Sequence, residues 1–139
     1  MRIVLDTNIL IAAALKGELA EDILDMAATH FISLVASKKI LQELEEKLLN
    51  KFSWSKERID FFLRELMQIS EVIETANNVT VVARDPDDNK ILACALSGKA
   101  DLIVTADQDL IKIKAFKGIG IVHPKTLSWI FPKYFKKGK

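Results

Sequence analysis

"RIVLDTNILIAAALKG", residues 2–17, decides how the rest of the chain is read. Ile3, Val4 and Leu5 form a short continuous apolar run, the pattern of a strand buried on both faces. "TNILIAAALKG" then takes on the character of a helix, with Gly17 expected to stop it. A doubly buried strand running straight into a helix opens an α/β unit, and the same alternation continues downstream.

"ELAEDILDMAATH" (18–30) reads as an amphipathic helix and "FISLVAS" (31–37) as a second strand. Ser37 is placed to cap "KKILQELEEKLLN" (38–50), where Ile40, Leu41, Leu44 and Leu48 recur at helical spacing. "SWSKERIDFFLRELMQIS" (53–70) repeats the pattern with Ile59, Phe62, Leu63, Leu66 and Met67. "EVIE" (71–74) and "TVVA" (80–83) are short strand candidates, and "NKILACALSG" (89–98) is a helix ending near Gly98. "ADLIVTAD" (100–107) is another buried strand, "QDLIKIK" (108–114) a short helix and "GIGIVHP" (118–124) a last strand. "PKTLSWIF" (124–131) closes with a helix, and "PKYFKKGK" (132–139) is a basic tail. Strands alternating with helices predict a three-layer α/β/α sandwich around a mainly parallel sheet, with right-handed crossovers. Residues 1–131 make one domain and 132–139 the tail.

Composition narrows the function classes. Half of the 139 residues are hydrophobic and 28% are charged, which excludes a disordered chain. The net charge of +1 gives no global basic field, so a nucleic-acid partner would need a local patch. Cys94 is the only cysteine, which excludes disulfide frameworks and cysteine zinc sites within one chain. It lies among small apolar residues and is expected to be a buried structural thiol. Asp6 interrupts the first apolar run, so no secretory signal is visible, and no stretch is long enough to span a membrane. The expected location is the cytoplasm.

"RDPDDNKILACAL" (84–96) loads three aspartates in front of an apolar helix. As a group they suit a helix start: Asp85 at the cap, Pro86 at the first position, acids at the positive end of the dipole. At about 100° per residue, Ile91, Leu92, Ala95 and Leu96 lie within roughly 80° of Asp88. Asp88 therefore faces the apolar stripe and Asp87 its flank. Asp85 and Asp87 are assigned capping and supporting electrostatics ahead of ligation.

In open parallel sheets, ligands bind beyond the carboxyl ends of the strands. Asp6 ends the first strand, Asp107 follows "LIVTA", and Asp88 starts the helix leading into that strand. All three can meet at one rim. Convergent, partly buried carboxylates require shared protons or a cation, and a hard divalent ion such as Mg²⁺ or Mn²⁺ suits an all-oxygen set. Each also has a plainer reading: an Asx-turn with Asn8 for Asp6, a cap on "QDLIKI" for Asp107, a dipole role for Asp88. His30 and His123 lack partners at metal-ligand spacing. No nucleophile elbow and no phosphate loop is present.

"VLDTNILI", "LQELEEKL", "DPDDNKILACAL" and "LIVTADQDL" together resemble the four signature blocks of PIN-domain nucleases, in order and across nearly the whole chain. Within that family the chain is similar to the prokaryotic single-domain toxin group that includes VapC. The resemblance implies an acidic quartet of Asp6, Glu43, Asp88 and Asp107, with Thr7, Asn8 and Thr105 at the polar positions beside it and Asp109 as a further acid. Periodicity does not choose Glu43 over Glu45 or Glu46; family likeness does.

The same resemblance implies a Mg²⁺- or Mn²⁺-dependent ribonuclease that hydrolyses RNA with metal-activated water, forms a homodimer and is held inactive by an antitoxin protein. Asp6, Asp88 and Asp107 would be the ligands, directly or through water, and Glu43 would bind a second ion or orient the attacking water. Thr105 and Asn8 would hydrogen-bond the carboxylates and fix them. Lysines in "KIKAFKG" and "PKYFKKGK", the latter beside Tyr134 and Phe135, are candidates for holding RNA, with a solubilising tail as the alternative. Phe52 and Trp54 are either partner contacts or core. Three rivals stand beside the toxin. One is a housekeeping RNA-processing nuclease, and another a catalytically silent binding module. The third, an aspartate-nucleophile phosphatase, would need an aspartate where Asn8 stands.

Overall fold

A computed structural model describes residues 1–75 and 86–135. The expected strand over 80–83, the capping role of Asp85 and Lys136 to Lys139 of the tail lie outside the described residues.

The elements are β1 (Arg2–Leu5), α1 (Thr7–Ala14), α2 (Glu18–Ala28), β2 (Ser33–Ser37), α3 (Lys38–Asn50), α4 (Lys56–Gln68) and β3 (Ser70–Ile73). After residue 85 come α5 (Pro86–Ser97), β4 (Leu102–Val104), α6 (Gln108–Ile113), β5 (Ala115–Phe116), β6 (Ile119–Val122) and α7 (Pro124–Ile130). A 3₁₀ turn, Pro132–Tyr134, follows. The sheet order is β3-β2-β1-β4-β6-β5, parallel throughout except for the β5–β6 pair. From β1 the chain winds outward to β2 and β3, then returns to the other side of β1 for β4 and β6. With right-handed crossovers, α1 to α4 cover one face and α5 and α6 the other. The architecture is the three-layer α/β/α sandwich expected from the sequence.

The central strands are buried on both sides: Ile3, Val4, Leu5, Ile103 and Val104 are all core residues. Ile23, Met26, Ile40, Leu44, Leu48, Ile59 and Leu66 pack from the helices of one layer, and Ile91, Leu92 and Ala95 from α5 in the other. Ser37 caps α3 by accepting the Ile40 N–H at 3.2 Å. Trp54 belongs to the core, with the Arg58 guanidinium 3.7 Å from its ring centre.

α5 ends next to Gly98 as read, but the residues that turn the chain at helix ends are not the glycines. At the end of α1, Lys16 takes the left-handed conformation (φ 61°). Gly17 N–H bonds to the Ala12 carbonyl and Lys16 N–H to that of Ala13, the paired bonds of a Schellman motif. Gly17 instead serves as the N-cap of α2. His30 (φ 64°) ends α2 in the same way, and Lys99 (φ 53°) ends α5. Gly98 is needed for a different reason: a Cβ there would lie 2.6 Å from Cγ1 of Val35 and 3.2 Å from Cδ1 of Ile73.

Two further differences bear on surfaces. "AFKGIG" is a tight hairpin in which Lys117 (φ 49°) and Gly118 (φ 83°) are the two central residues between β5 and β6. That is the two-residue turn with both φ angles positive that matches strand twist. The basic tail, read from residue 132, is packed on the domain at its start. Phe135 is buried, and Tyr134 stacks on Phe31 at 4.2 Å between ring centres. These aromatics are therefore engaged within the fold and are not displayed for bases.

Gly98→Ala should destabilise the fold by about 1–3 kcal/mol, because neither the Cγ1 methyl of β-branched Val35 nor the Cys94 carbonyl can move away freely. Urea unfolding checks this, and an unchanged midpoint would contradict the packing described.

Candidate active site

The strand order reverses between β1 and β4, and this is where a doubly wound sheet opens a crevice at its carboxyl edge. Leu5 is paired with Val104, so the next residues, Asp6 and Thr105, leave the sheet side by side. The ladder extends past the strands through Asp6 N–H to the Val104 carbonyl (3.0 Å) and Thr105 N–H to that of Val122 (3.0 Å). Both backbones are held, and both side chains are buried.

Thr105 joins two acids. Its Oγ1 donates to Asp6 Oδ2 at 2.6 Å and accepts the backbone N–H of Asp107 at 3.0 Å. One hydroxyl thus has its proton and a lone pair committed, which fixes its rotor. Asp107 Oδ1 accepts the Asp109 N–H at 2.8 Å, so Asp107 does cap α6 while it stands beside Asp6. The Asp109 side chain is exposed. Asp6 precedes α1 without closing a side-chain cap bond, although the main-chain N–H groups of Thr7 and Asn8 face its carboxylate. The side chain of Asn8, expected to fix a carboxylate, is exposed, and only its backbone N–H faces Asp6.

Burial is the main influence on Asp6 and raises its pKa above the ordinary value of 3.8. The Thr105 hydrogen bond opposes that rise, the charge of Asp107 adds to it, and the two amides oppose it. Desolvation prevails.

Glu43 lies on the other bank. Of the three glutamates on α3, Glu45 and Glu46 are exposed and Glu43 is only 8% exposed. The Thr7 hydroxyl, at the start of α1, donates to Glu43 Oε1. Lys90 of α5 places Nζ 3.7 Å from Glu43 Oε2 and 3.4 Å from Asp87 Oδ1. A hydrogen bond with the Glu43 carboxyl holds the Asp87 pKa below its ordinary range; slight desolvation opposes this, and the Lys90 charge reinforces it. Asp88, next along α5, is 6% exposed among Ile91, Leu92 and Ala95, on the face its spacing indicated.

The acids thus stand in two groups. Thr105 joins Asp6 to Asp107; Thr7, Asp87 and Lys90 surround Glu43. Among the described residues, no three His, Cys, Asp or Glu side chains stand close enough to hold one ion between them. The donor set nevertheless fits a hard divalent cation. Every donor is an oxygen, and the Asp6–Asp107 pair carries charge that burial disfavours. Mg²⁺ needs only one or two carboxylates, since it keeps several waters and takes substrate phosphate oxygens.

Lys90 and the contact of Asp87 with Glu43 were not singled out from the sequence. The signal was present, because Asp87 and Lys90 are three apart on one helix, where opposite charges meet. Cys94 is buried as expected. Its thiol is pushed up to about 11, chiefly by desolvation against hydrogen bonds from Ser37, and stays protonated at neutral pH. His123 caps α7 through Nδ1, accepting the Lys125 N–H at 3.0 Å.

An acidic, oxygen-only centre at the switch point of a doubly wound sheet is the class that fold and site define. The PIN domain profile matches residues 2–109. An uncharacterized protein of Methanocaldococcus jannaschii, MJ1680, is 33% identical over 119 residues, covering 82% of this chain and 76% of that one. The solved structure of VapBC2 from Rickettsia felis, bound to a DNA fragment from their promoter, shares the fold. Its TM-score is 0.63 at 20% identity, over 88% of this chain and 98% of that one. The chain belongs to the PIN-domain family, whose members are generally nucleases.

Because the folded pKa of Asp6 lies above its unfolded value, ionising Asp6 opposes folding. The penalty is absent below the unfolded pKa and complete once pH passes the folded one. Asp6→Asn should therefore raise the melting temperature of metal-free protein at pH 7. The gap to wild type should close as pH falls below about 4. A lower midpoint for the variant at pH 7 would contradict this.

Proposed function

We propose that this chain is a divalent-metal-dependent endoribonuclease, the toxin member of a toxin–antitoxin pair acting in the cytoplasm, with Mg²⁺ or Mn²⁺ as cofactor. The observation that carries this reading is the Thr105-bridged pair of Asp6 and Asp107 at the carboxyl edge of β1 and β4. Family membership supports phosphodiester hydrolysis as the chemistry.

In this reading Asp6 and Asp107 hold the ion and Asp88 reaches it through water, with Thr105 keeping Asp6 and the Asp107 main chain in place. The chemistry that such an ion supplies when bound is a more acidic water and positive charge against the phosphate. Glu43, oriented by Thr7, faces the attacking water or a second ion. Asp109 fixes the Asp107 carboxylate from α6. Lys112, Lys114 and Lys117 are exposed on α6 and the hairpin behind it. α6 leads this basic patch away from the carboxyl edge, and the patch suits the backbone of single-stranded RNA running on from the centre.

The VapBC neighbour supports an antitoxin as partner, and a homodimer is part of the same reading. Trp129 and Ile130 on α7, both more than half exposed, offer apolar surface for either contact. No helix among the described residues is long and apolar enough to cross a membrane.

Purified protein should cut mixed RNA with Mg²⁺ or Mn²⁺ and stop when chelator is added. Asp6→Asn should cut at least a hundredfold more slowly, a loss of roughly 3 kcal/mol of transition-state stabilisation. Induced wild type should arrest growth of its host while Asp6→Asn does not. RNA cutting without arrest selects the housekeeping nuclease, and no metal-dependent cutting at all selects the silent binding module.

A further inference from the structure

Thr105 links Asp6 and Asp107, and among the described residues neither carboxylate has a Lys, Arg or His partner within 4.0 Å. Glu43 is in the opposite condition. Its Oε1 accepts from Thr7, and its Oε2 faces the Lys90 ammonium at 3.7 Å. Asp87, whose carboxyl meets that of Glu43, has the same ammonium at 3.4 Å.

We propose that Lys90 is the resident cation of the Glu43 half of the centre, so that the protein takes one divalent ion, on the Asp6–Asp107 side, and not two. The inference rests on reading the centre as a divalent-metal site. It assigns Lys90 as a positioning residue and settles the choice left to Glu43 in favour of orienting water.

The reasons are geometric and electrostatic. Two carboxyls in contact need a cation or a shared proton to coexist, and Lys90 is already built into α5 three residues from Asp87. Its side chain is 35% exposed, so its charge is only partly screened by solvent. A second divalent ion at Glu43 would have to displace the ammonium or sit against it. The Asp6–Asp107 side carries two acids with no such counter-charge, and burial there favours any ligand that brings positive charge.

Chelator-stripped full-length protein titrated with Mn²⁺, followed by calorimetry and by electron paramagnetic resonance of free Mn²⁺, tests this. Wild type and Lys90→Arg should bind one ion per chain, and Lys90→Met should bind two. Glu43→Gln should keep the single site within about threefold of wild-type affinity, while Asp6→Asn weakens it at least thirtyfold. Two ions in wild type, one in Lys90→Met, or loss of binding in Glu43→Gln would each overturn the proposal. If Lys90→Met does not fold, Glu43→Gln against Asp6→Asn decides alone. Absence of any Mn²⁺ binding in wild type, or binding indifferent to Asp6→Asn, would instead refute the metal centre itself.

Discussion

The hydrogen bond from Thr105 to Asp6 ties the two strands that flank the reversal of the sheet, and what the centre can do follows from it. It forms because Leu5 and Val104 are in register, so the following residues emerge together with their backbones still held by the ladder. The same hydroxyl receives the Asp107 amide, which sets where α6 begins. Strand pairing in the core thereby dictates the spacing of two acids at the rim of the sheet. Such a hydrogen bond to an ionised group is among the stronger ones, and here it works against the desolvation that raises the Asp6 pKa. Desolvation is the larger of the two influences, and added positive charge favours the ionised form of Asp6.

Much of the scaffold was legible in the chain. Runs such as "IVL" and "LIV" are apolar at every position because both faces of a central parallel strand are covered, and that pattern has few other uses. Asp88 was legible for a related reason: helical rotation alone puts it on the face of Ile91 and Leu92. Helix ends were legible in position but not in mechanism. The helices stop close to Gly17 and Gly98, yet Lys16 and Lys99 adopt the left-handed conformation beside them. A glycine is also valued for closeness, as Gly98 is against Val35, and local composition does not distinguish the two demands. β5 escaped notice because two residues carry no period.

The acidic centre was partly legible. Asp6 and Asp107 could be placed from the strands they follow, whereas Glu43 could not be told from its neighbouring glutamates by pattern, since Glu43 and Glu45 flank the apolar stripe of α3 on its two sides. What separates them is the contact of α3 with the start of α1, where the Thr7 hydroxyl waits for one carboxylate. That is a tertiary fact. The dual character of Asp107, helix cap and neighbour of Asp6, shows why the plain and the chemical readings of one residue need not compete. One oxygen can satisfy α6 while the charge of the group still acts on Asp6. His30 illustrates the converse: its conformation at the end of α2 accounts for it without any chemistry.

The β5–β6 hairpin has a bearing on how the molecule behaves in a crowded solution. β6 would otherwise expose a row of unpaired main-chain groups, an invitation for another chain to add itself as the next strand. Two residues, Ala115 and Phe116, fold back to occupy that position. They are too short to offer a comparable template outward, and Lys114 and Lys117 stand at either end of them. Charge repulsion between molecules meeting at this margin then guards against aggregation, so a cluster of lysines suited to polyanions also keeps the protein dispersed.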